Sequence, residues 1–378
     1  MDSFSLYVHI PFCEKKCYYC DFISFSKEEK NIRTYIENMM KEISFYKEKL
    51  SKYYLNTIFI GGGTPSCIDA KYIKLLLEHI YNTFNSDSIT EISIEANPGT
   101  LDIEKAKTYK SIGINRVSLG VQSLNDNILK SIGRIHSSKD VIESIDLLRK
   151  VGIENINVDL MFGLPHQTMD DLEDTINSVL ELDIEHISLY GLIIEEGTLI
   201  NKWYKKGLLK LPSEDAERYM YHKSIELLEN NGILQYEISN FSKPYKQCKH
   251  NLIYWKVKPY LGVGLSSHSN LFGKRFWNYS NLTAYNDKLN NNILPIEGEE
   301  SIEKDMEIAE YCILGLRLNE GIDKEGFRNR FEIEIDEKYK DIIIKHQKNG
   351  LIHNSKNNIK LTSKGLDLSN IVEVDFIP

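Results

Sequence analysis

Six short apolar runs, each followed by a glycine-rich or polar cluster and most of them then by a helical stretch, constrain this chain more than any other feature. The runs cover 5–10, 56–60, 91–94, 116–119, 155–160 and 186–192. The clusters that follow include Gly61-Gly62-Gly63-Thr64-Pro65, Glu95-Ala96-Asn97-Pro98, Gly120-Val121-Gln122-Ser123 and the stretch from Met161 to Thr168. Helical periodicity predicts helices over 28–50, 103–112, 169–182 and 214–230. Strands alternating with helices call for a parallel sheet. Polar residues at C-terminal strand ends are where a (β/α) barrel assembles its site. An open doubly wound sheet places ligands there too. Five strand ends must face one centre here, which favours a partial barrel. Taken singly, Glu95, Gln122 and Asp159 read equally well as a solvated carboxylate, a helix cap and a structural partner of Arg134. On successive strand ends they describe a site for a polar cofactor, in which Arg134 can clamp a carboxylate.

The second constraint is Cys13-Glu14-Lys15-Lys16-Cys17-Tyr18-Tyr19-Cys20, which holds three of the six cysteines in eight residues. It follows the first apolar run, which Pro11 terminates because proline has no N–H for the ladder. The C-x3-C-x2-C spacing matches neither paired zinc motifs nor the ferredoxin run with its fourth cysteine. Three thiolates leave one iron of a [4Fe–4S] cube open to a small chelating molecule. Gly61 to Gly63 let backbone approach a ligand closely. Cys67 and Cys312 lack ligand spacing and are expected in the core.

The net charge of -9 excludes a general nucleic-acid binder. No apolar run approaches the ~18 residues of a membrane span. The start, Met1-Asp2-Ser3-Phe4, carries neither a basic nor an apolar leader region. Cysteines that must stay reduced fit the cytosol.

These motifs together resemble the oxygen-independent coproporphyrinogen III oxidase-like family of radical S-adenosylmethionine (SAM) proteins. The resemblance runs from Leu6 to near the C-terminus. It rests on Tyr-Val-His-Ile-Pro-Phe-Cys, Gly-Gly-Gly-Thr-Pro, Glu-Ala-Asn-Pro, Gly-Val-Gln-Ser, Gly-Arg-Ile-His and Asp-Leu-Met-Phe-Gly-Leu-Pro. It implies a partial (β/α)6 TIM-like radical SAM barrel, with Cys13, Cys17 and Cys20 holding a [4Fe–4S] cluster and SAM on the open iron. It implies SAM contacts for Tyr7, Gly62 and Glu95. It places Tyr19, Gly63, Thr64, Gln122, Arg134, Asp159 and Ile193 at the second SAM position of the oxidases. Two departures point to the heme chaperone branch. Phe22 stands where the oxidases carry a further cysteine, and only twelve residues precede Cys13.

A third feature supports that branch. His250-Asn251-Leu252-Ile253-Tyr254-Trp255 resembles the heme chaperone motif. His250 offers an imidazole for heme iron, and Tyr254 and Trp255 offer flat surface for a porphyrin. Cys248 is an alternative thiolate, and His268 is expected to hydrogen-bond within the core. The resemblance implies heme as ligand, heme-accepting proteins as partners, a heme donor at the membrane surface, and a homodimer as one possible assembly. The implied location is cytoplasmic or peripheral at the inner face of the membrane. The rival readings are radical decarboxylation of coproporphyrinogen III, or radical SAM chemistry on another substrate.

The expected division is a barrel core over 1–235, a barrel extension with the heme motif over 236–298, and a small domain over 299–378. In the last, a helix over 304–316, two short helices and a small β-wing resemble a winged helix. From Ser301 onward, twelve Lys and Arg against fifteen Asp and Glu give -3. That is the wrong sign for DNA, so a lid or docking module is expected.

Overall fold

A computed structural model describes residues 2–26 and 29–378. The expected strands form; five of them run further than the apolar runs alone, while the sixth stops one residue short, at Gly191. They are β1 (Ser3–Ile10), β2 (Tyr54–Gly62), β3 (Glu91–Ala96), β4 (Arg116–Gln122), β5 (Asn155–Phe162) and β6 (His186–Gly191). Six more follow: β7 (Leu234–Glu237), β8 (Asn240–Ser242), β9 (Tyr260–Val263), β10 (His268–Leu271), β11 (Lys274–Asn278) and β12 (Ile296–Ser301). All twelve share one sheet in the order β12-β11-β10-β9-β1-β2-β3-β4-β5-β6-β8-β7. Strands β1 to β6 pair in parallel and in chain order. A doubly wound sheet would reverse that order at a switch point. With right-handed crossovers throughout, an unreversed order puts the helices on one face and leaves the other to a centre. Strand β9 adds a seventh parallel neighbour on the far side of β1.

The helices between the strands are α1 (Glu29–Phe45), α2 (Ala70–Thr83), α3 (Ile103–Ser111), α4 (Asp126–Ser131), α5 (Ser138–Lys150) and α6 (Met169–Glu181). After them come α7 (Leu199–Lys205), α8 (Glu214–Asn230), α9 (Lys249–Trp255), α10 (Leu282–Asn290) and α11 (Lys304–Leu316). Helix α1 ends at Phe45, short of the expected Leu50. Tyr46 and Leu50 are buried, and 46–52 form successive turns that return the chain to β2. The expected start at Glu28 lies outside the described residues.

Alternation along the parallel strands separates the two faces of the sheet. Leu6, Val8, Ile58, Ile60, Ile92, Ile94, Val117, Leu119, Ile156, Val158, Ile187 and Leu189 belong to the main apolar core. Their neighbours in each strand are Tyr7, Phe59, Ser93, Glu95, Arg116, Ser118, Asn157, Asp159 and Ser188. Register places Glu95 beside Ser118, Ser118 beside Asn157, and Asn157 beside His186. A parallel sheet is ordinarily apolar on both faces. A polar inner face therefore marks a lined cavity.

The C-terminal part has a core of its own, built on Ile308, Cys312, Leu316, Phe327, Phe331 and Ile359. Between α11 and the wing lie three short helices, not two (Lys324–Phe331, Ile335–Lys338 and Lys340–Lys348). The wing is the hairpin of Ile352–Asn354 and Asn358–Leu361, with Ile322–Asp323 paired on its other edge. Among the described residues, no helix is long and apolar enough to cross a membrane.

Candidate functional site

The cysteine loop leaves β1 at Pro11 and is fastened to the glycine turn after β2. Gly63 N–H donates to Ile10 O at 2.9 Å and Thr64 N–H to Phe12 O at 2.9 Å. Gly63 tolerates no side chain there. A Cβ would stand 2.8 Å from Phe12 O and 2.9 Å from Cys13 Sγ. Cys13, Cys17 and Cys20 are half-buried free thiols. Burial pushes Cys13 and Cys20 up, Cys20 to about 11. Thr64 Oγ1 lies 3.5 Å from Cys13 Sγ. Arg134 Nη1 donates to Cys17 Sγ at 3.5 Å and to Asn97 Oδ1 at 3.1 Å, while Nη2 donates to Gly120 O. Gly120 makes room for this, because a Cβ would lie 2.5 Å from Arg134 Nη2. Donors aimed at a ligating sulfur tune an iron–sulfur cluster. Among the described residues no three His, Cys, Asp or Glu side chains close on a single-ion geometry. A cube takes one thiolate per iron and does not require that closure. The loop and its cradle thus fit a [4Fe–4S] cluster.

Beside the loop lies a cleft of about 170 Å³. It is lined by Cys13, Cys17, Tyr19, Cys20, Gly62, Gly63, Thr64, Glu95, Gln122, Arg134 and Asp159. The structure therefore gathers these expected residues around the cysteines. Arg134 and Asp159 are not bonded to each other. Asp159 accepts from Asn157 Nδ2 at 2.7 Å and from Ser118 Oγ at 3.2 Å. Glu95 Oε2 accepts the Gly62 N–H at 3.0 Å. Burial pushes Glu95 up to about 8, and the nearby Asp159 adds to the shift. Glu95 accepts this one hydrogen bond, and its remaining acceptor positions suit a ligand that brings its own amine or hydroxyl groups.

The rise in Glu95 has a measurable sign. A carboxyl with a raised folded-state value keeps its proton where the unfolded chain has released it. The folded state therefore loses stability as pH rises from about 4.5 to about 8. Glu95→Gln should remove this slope and stabilise the ligand-free chain at pH 8 by up to roughly 4 kcal/mol. Denaturant midpoints of both proteins at pH 5 and pH 8 read it. Equal slopes would contradict the assignment.

A larger cavity of about 540 Å³ opens from the cleft toward β4, β5, β6 and α9. Tyr7, Ile193 and His250 line it, and it shares Tyr19, Cys20, Phe22, Glu95, Ser118, Gln122 and Asp159 with the cleft. His250 and Tyr254, four apart on α9, share a helix face and both line the cavity. Trp255 does not join them. It turns outward, stacks under Arg317 at 5.0 Å, and lines a separate cleft with the C-terminal part. The expected single wall of Tyr254 and Trp255 is therefore split.

His250 is buried with both ring nitrogens engaged. Nδ1 pairs with Thr57 Oγ1 at 2.7 Å and Nε2 with Tyr254 Oη at 2.9 Å. Burial holds it neutral, with its value lowered to about 3. Cys248 is buried, pushed up to about 12, with Sγ 3.5 Å from Glu91 Oε1. His268 is not a core hydrogen-bonder. It sits exposed at the start of β10, stacked on Trp277. Cys312 is in the C-terminal core, and half-buried Cys67 donates to Phe12 O.

Arg116, Ser118, Asn157, Ser188 and Asn240 also line the large cavity, and none of them belongs to the expected site. The signal was present. Arg116, Ser118 and Gln122 recur with period two against Val117, Leu119 and Val121, and Asn157 and Asp159 do so against Ile156, Val158 and Leu160.

Comparison with known proteins bears on this site. Residues 7–179 match the Radical SAM superfamily and residues 302–368 match the HemN C-terminal domain. The chain is 39% identical to heme chaperone HemW of Bacillus subtilis (strain 168) over 99% of both chains. It is 39% identical to heme chaperone HemW of Lactococcus lactis, over 99% of this chain and 97% of that one. Among solved structures, coproporphyrinogen III oxidase (HemN) from Escherichia coli, described as a radical SAM enzyme, superposes with a TM-score of 0.87 at 22% identity. The superposition covers 100% of this chain and 90% of that one, and shows a shared fold.

Proposed function

The chain belongs to the heme chaperone HemW family of the radical SAM superfamily, and from that membership we propose that its central cavity takes up heme and yields it to acceptor proteins. The observation that carries this reading is the cavity of about 540 Å³, walled by Tyr7, Tyr19, Phe22, Phe59, Tyr190 and Tyr254. Flat aromatic walls suit a porphyrin face, and polar groups at depth suit its charged edge. Phe22 is 62% exposed and Ile193 69%, so the cavity carries an apolar rim. Such a rim suits a cargo that must leave again to another protein.

Cys13, Cys17 and Cys20 are the residues to hold the cluster, Tyr7, Gly62 and Glu95 those to hold SAM beside it, and Gly63, Thr64 and Arg134 lie at the position of a second SAM. When bound, that pair supplies one-electron chemistry. The chain's own part is to keep donors on the sulfur of Cys17 and to enclose the cleft. A heme donor at a membrane surface and a homodimer belong to the same reading. Light scattering with and without a loaded cluster tests the dimer.

His250 is the candidate iron ligand of this reading. Its Nε2 reaches iron only after the Tyr254 hydroxyl lets go. Tyr254→Phe removes that competing bond and should tighten heme binding about fivefold, from a hydrogen bond worth about 1 kcal/mol. His250→Ala should weaken binding by at least tenfold and change the heme absorption spectrum. Unchanged affinity and spectrum in both variants would exclude His250 as the ligand.

A further inference from the structure

The deepest charged group in the cavity plays no part in the cluster or SAM cradle. Arg116 opens β4 at the end opposite Gln122, about 20 Å along the strand at ~3.3 Å per residue. It is 2% exposed and lines the large cavity. Its Nε is buried without a partner. Among the described residues, its guanidinium makes no ion pair or hydrogen bond. A buried guanidinium is ordinarily paired, because leaving it unpaired is costly.

The carboxylates around it are already committed. Glu91 accepts the backbone N–H of Lys249 at 2.9 Å and of His250 at 3.1 Å, and Ser93 Oγ at 3.3 Å. Asp159 is held by Asn157 and Ser118. Burial pushes both Asp159 and Glu95 up, and Glu91 and Asp159 attract Arg116 through space without forming an ion pair with it. The unfilled requirement is a planar anion able to meet the guanidinium fork, which is a carboxylate.

We propose that Arg116 is the carboxylate anchor of the central cavity and binds a propionate of the tetrapyrrole. This rests on the heme reading above and deepens it by giving the cargo an orientation. The propionate edge enters first, toward β4, and the opposite edge stays near the Phe22 and Ile193 rim. The geometry also suits the release of heme, since the anchored edge is separated from the exposed one.

The test is a set of equilibrium titrations read by heme absorbance. The full chain, Arg116→Met and Arg116→Lys are each titrated with heme and with heme dimethyl ester, whose propionates carry no charge. The unaltered protein should bind heme at least tenfold more tightly than the ester. Arg116→Met should bring heme down to the ester's affinity and leave the ester unchanged, with Arg116→Lys between. Equal weakening of both ligands would make Arg116 a structural residue and overturn the proposal. So would unchanged heme binding in Arg116→Met. A parallel SAM titration separates the other source of a carboxylate. Loss of SAM binding with heme binding retained would assign the anchor to SAM and overturn the propionate assignment. If the unaltered chain saturates with neither tetrapyrrole, the heme reading itself falls, whatever Arg116 does.

Discussion

Cys17→Ala is expected to yield a folded chain that retains almost no iron or sulfide after anaerobic reconstitution. Cys17 sits half-buried on a loop, and its sulfur is the one that receives the Arg134 guanidinium. Removing it takes away one of the three proposed cluster ligands and a donor's target together, while no core side chain loses its packing. The fold should therefore change by less than about 1 kcal/mol, measured on the cluster-free proteins. Iron and sulfide content and the visible charge-transfer absorbance read the cluster, and a denaturant melt reads the fold. Arg134 should register the loss too, because its remaining partners are Asn97 and the Gly120 carbonyl. Full iron content in Cys17→Ala would show that the cluster is held elsewhere.

Gly63→Ala is expected to act almost as strongly, through space alone. The added Cβ meets a backbone oxygen at 2.8 Å and the Cys13 sulfur at 2.9 Å. The backbone oxygen is that of Phe12, which is itself bonded to the Thr64 N–H, so it has little freedom to retreat. Relief requires separating the cysteine loop from the glycine turn. Such overpacking costs about 1–3 kcal/mol, and it moves Cys13 relative to Cys17 and Cys20. We expect a lower denaturation midpoint and a large loss of iron in the same variant. A protein with unaltered midpoint and full iron content would show that the two loops are not locked together.

The order and type of the parallel strands were readable from the chain because apolar runs and strand-end clusters are local signals. So was the gathering of Gly62, Gly63, Thr64, Glu95, Gln122 and Asp159 around the cysteines, since unreversed parallel order carries strand ends to one side. What could not be read was register. Arg116 and Asn157 begin or sit within apolar runs, and only the alignment of β3, β4, β5 and β6 shows that they share the inner face. The partnership of His250 with Thr57 joins residues far apart in the chain, and no motif predicts it. Trp255 went wrong for a simpler reason. It lies five residues from His250, which on a helix is a different face from Tyr254 at four.

The same geometry explains why the site reads as a receptacle as well as a cofactor cradle. The glycine turn and cysteine loop crowd one end of the centre, and the polar inner face continues well past them to Arg116. A cofactor cleft alone would not need that depth.

The most direct test is a spectroscopic heme titration of the cluster-loaded full chain under anaerobic conditions. Saturation at one heme per chain is expected, with a spectrum that changes when His250 is replaced. Uptake that rises without saturation, or a saturating spectrum indifferent to both His250→Ala and Arg116→Met, would contradict the claim that the central cavity is the heme site.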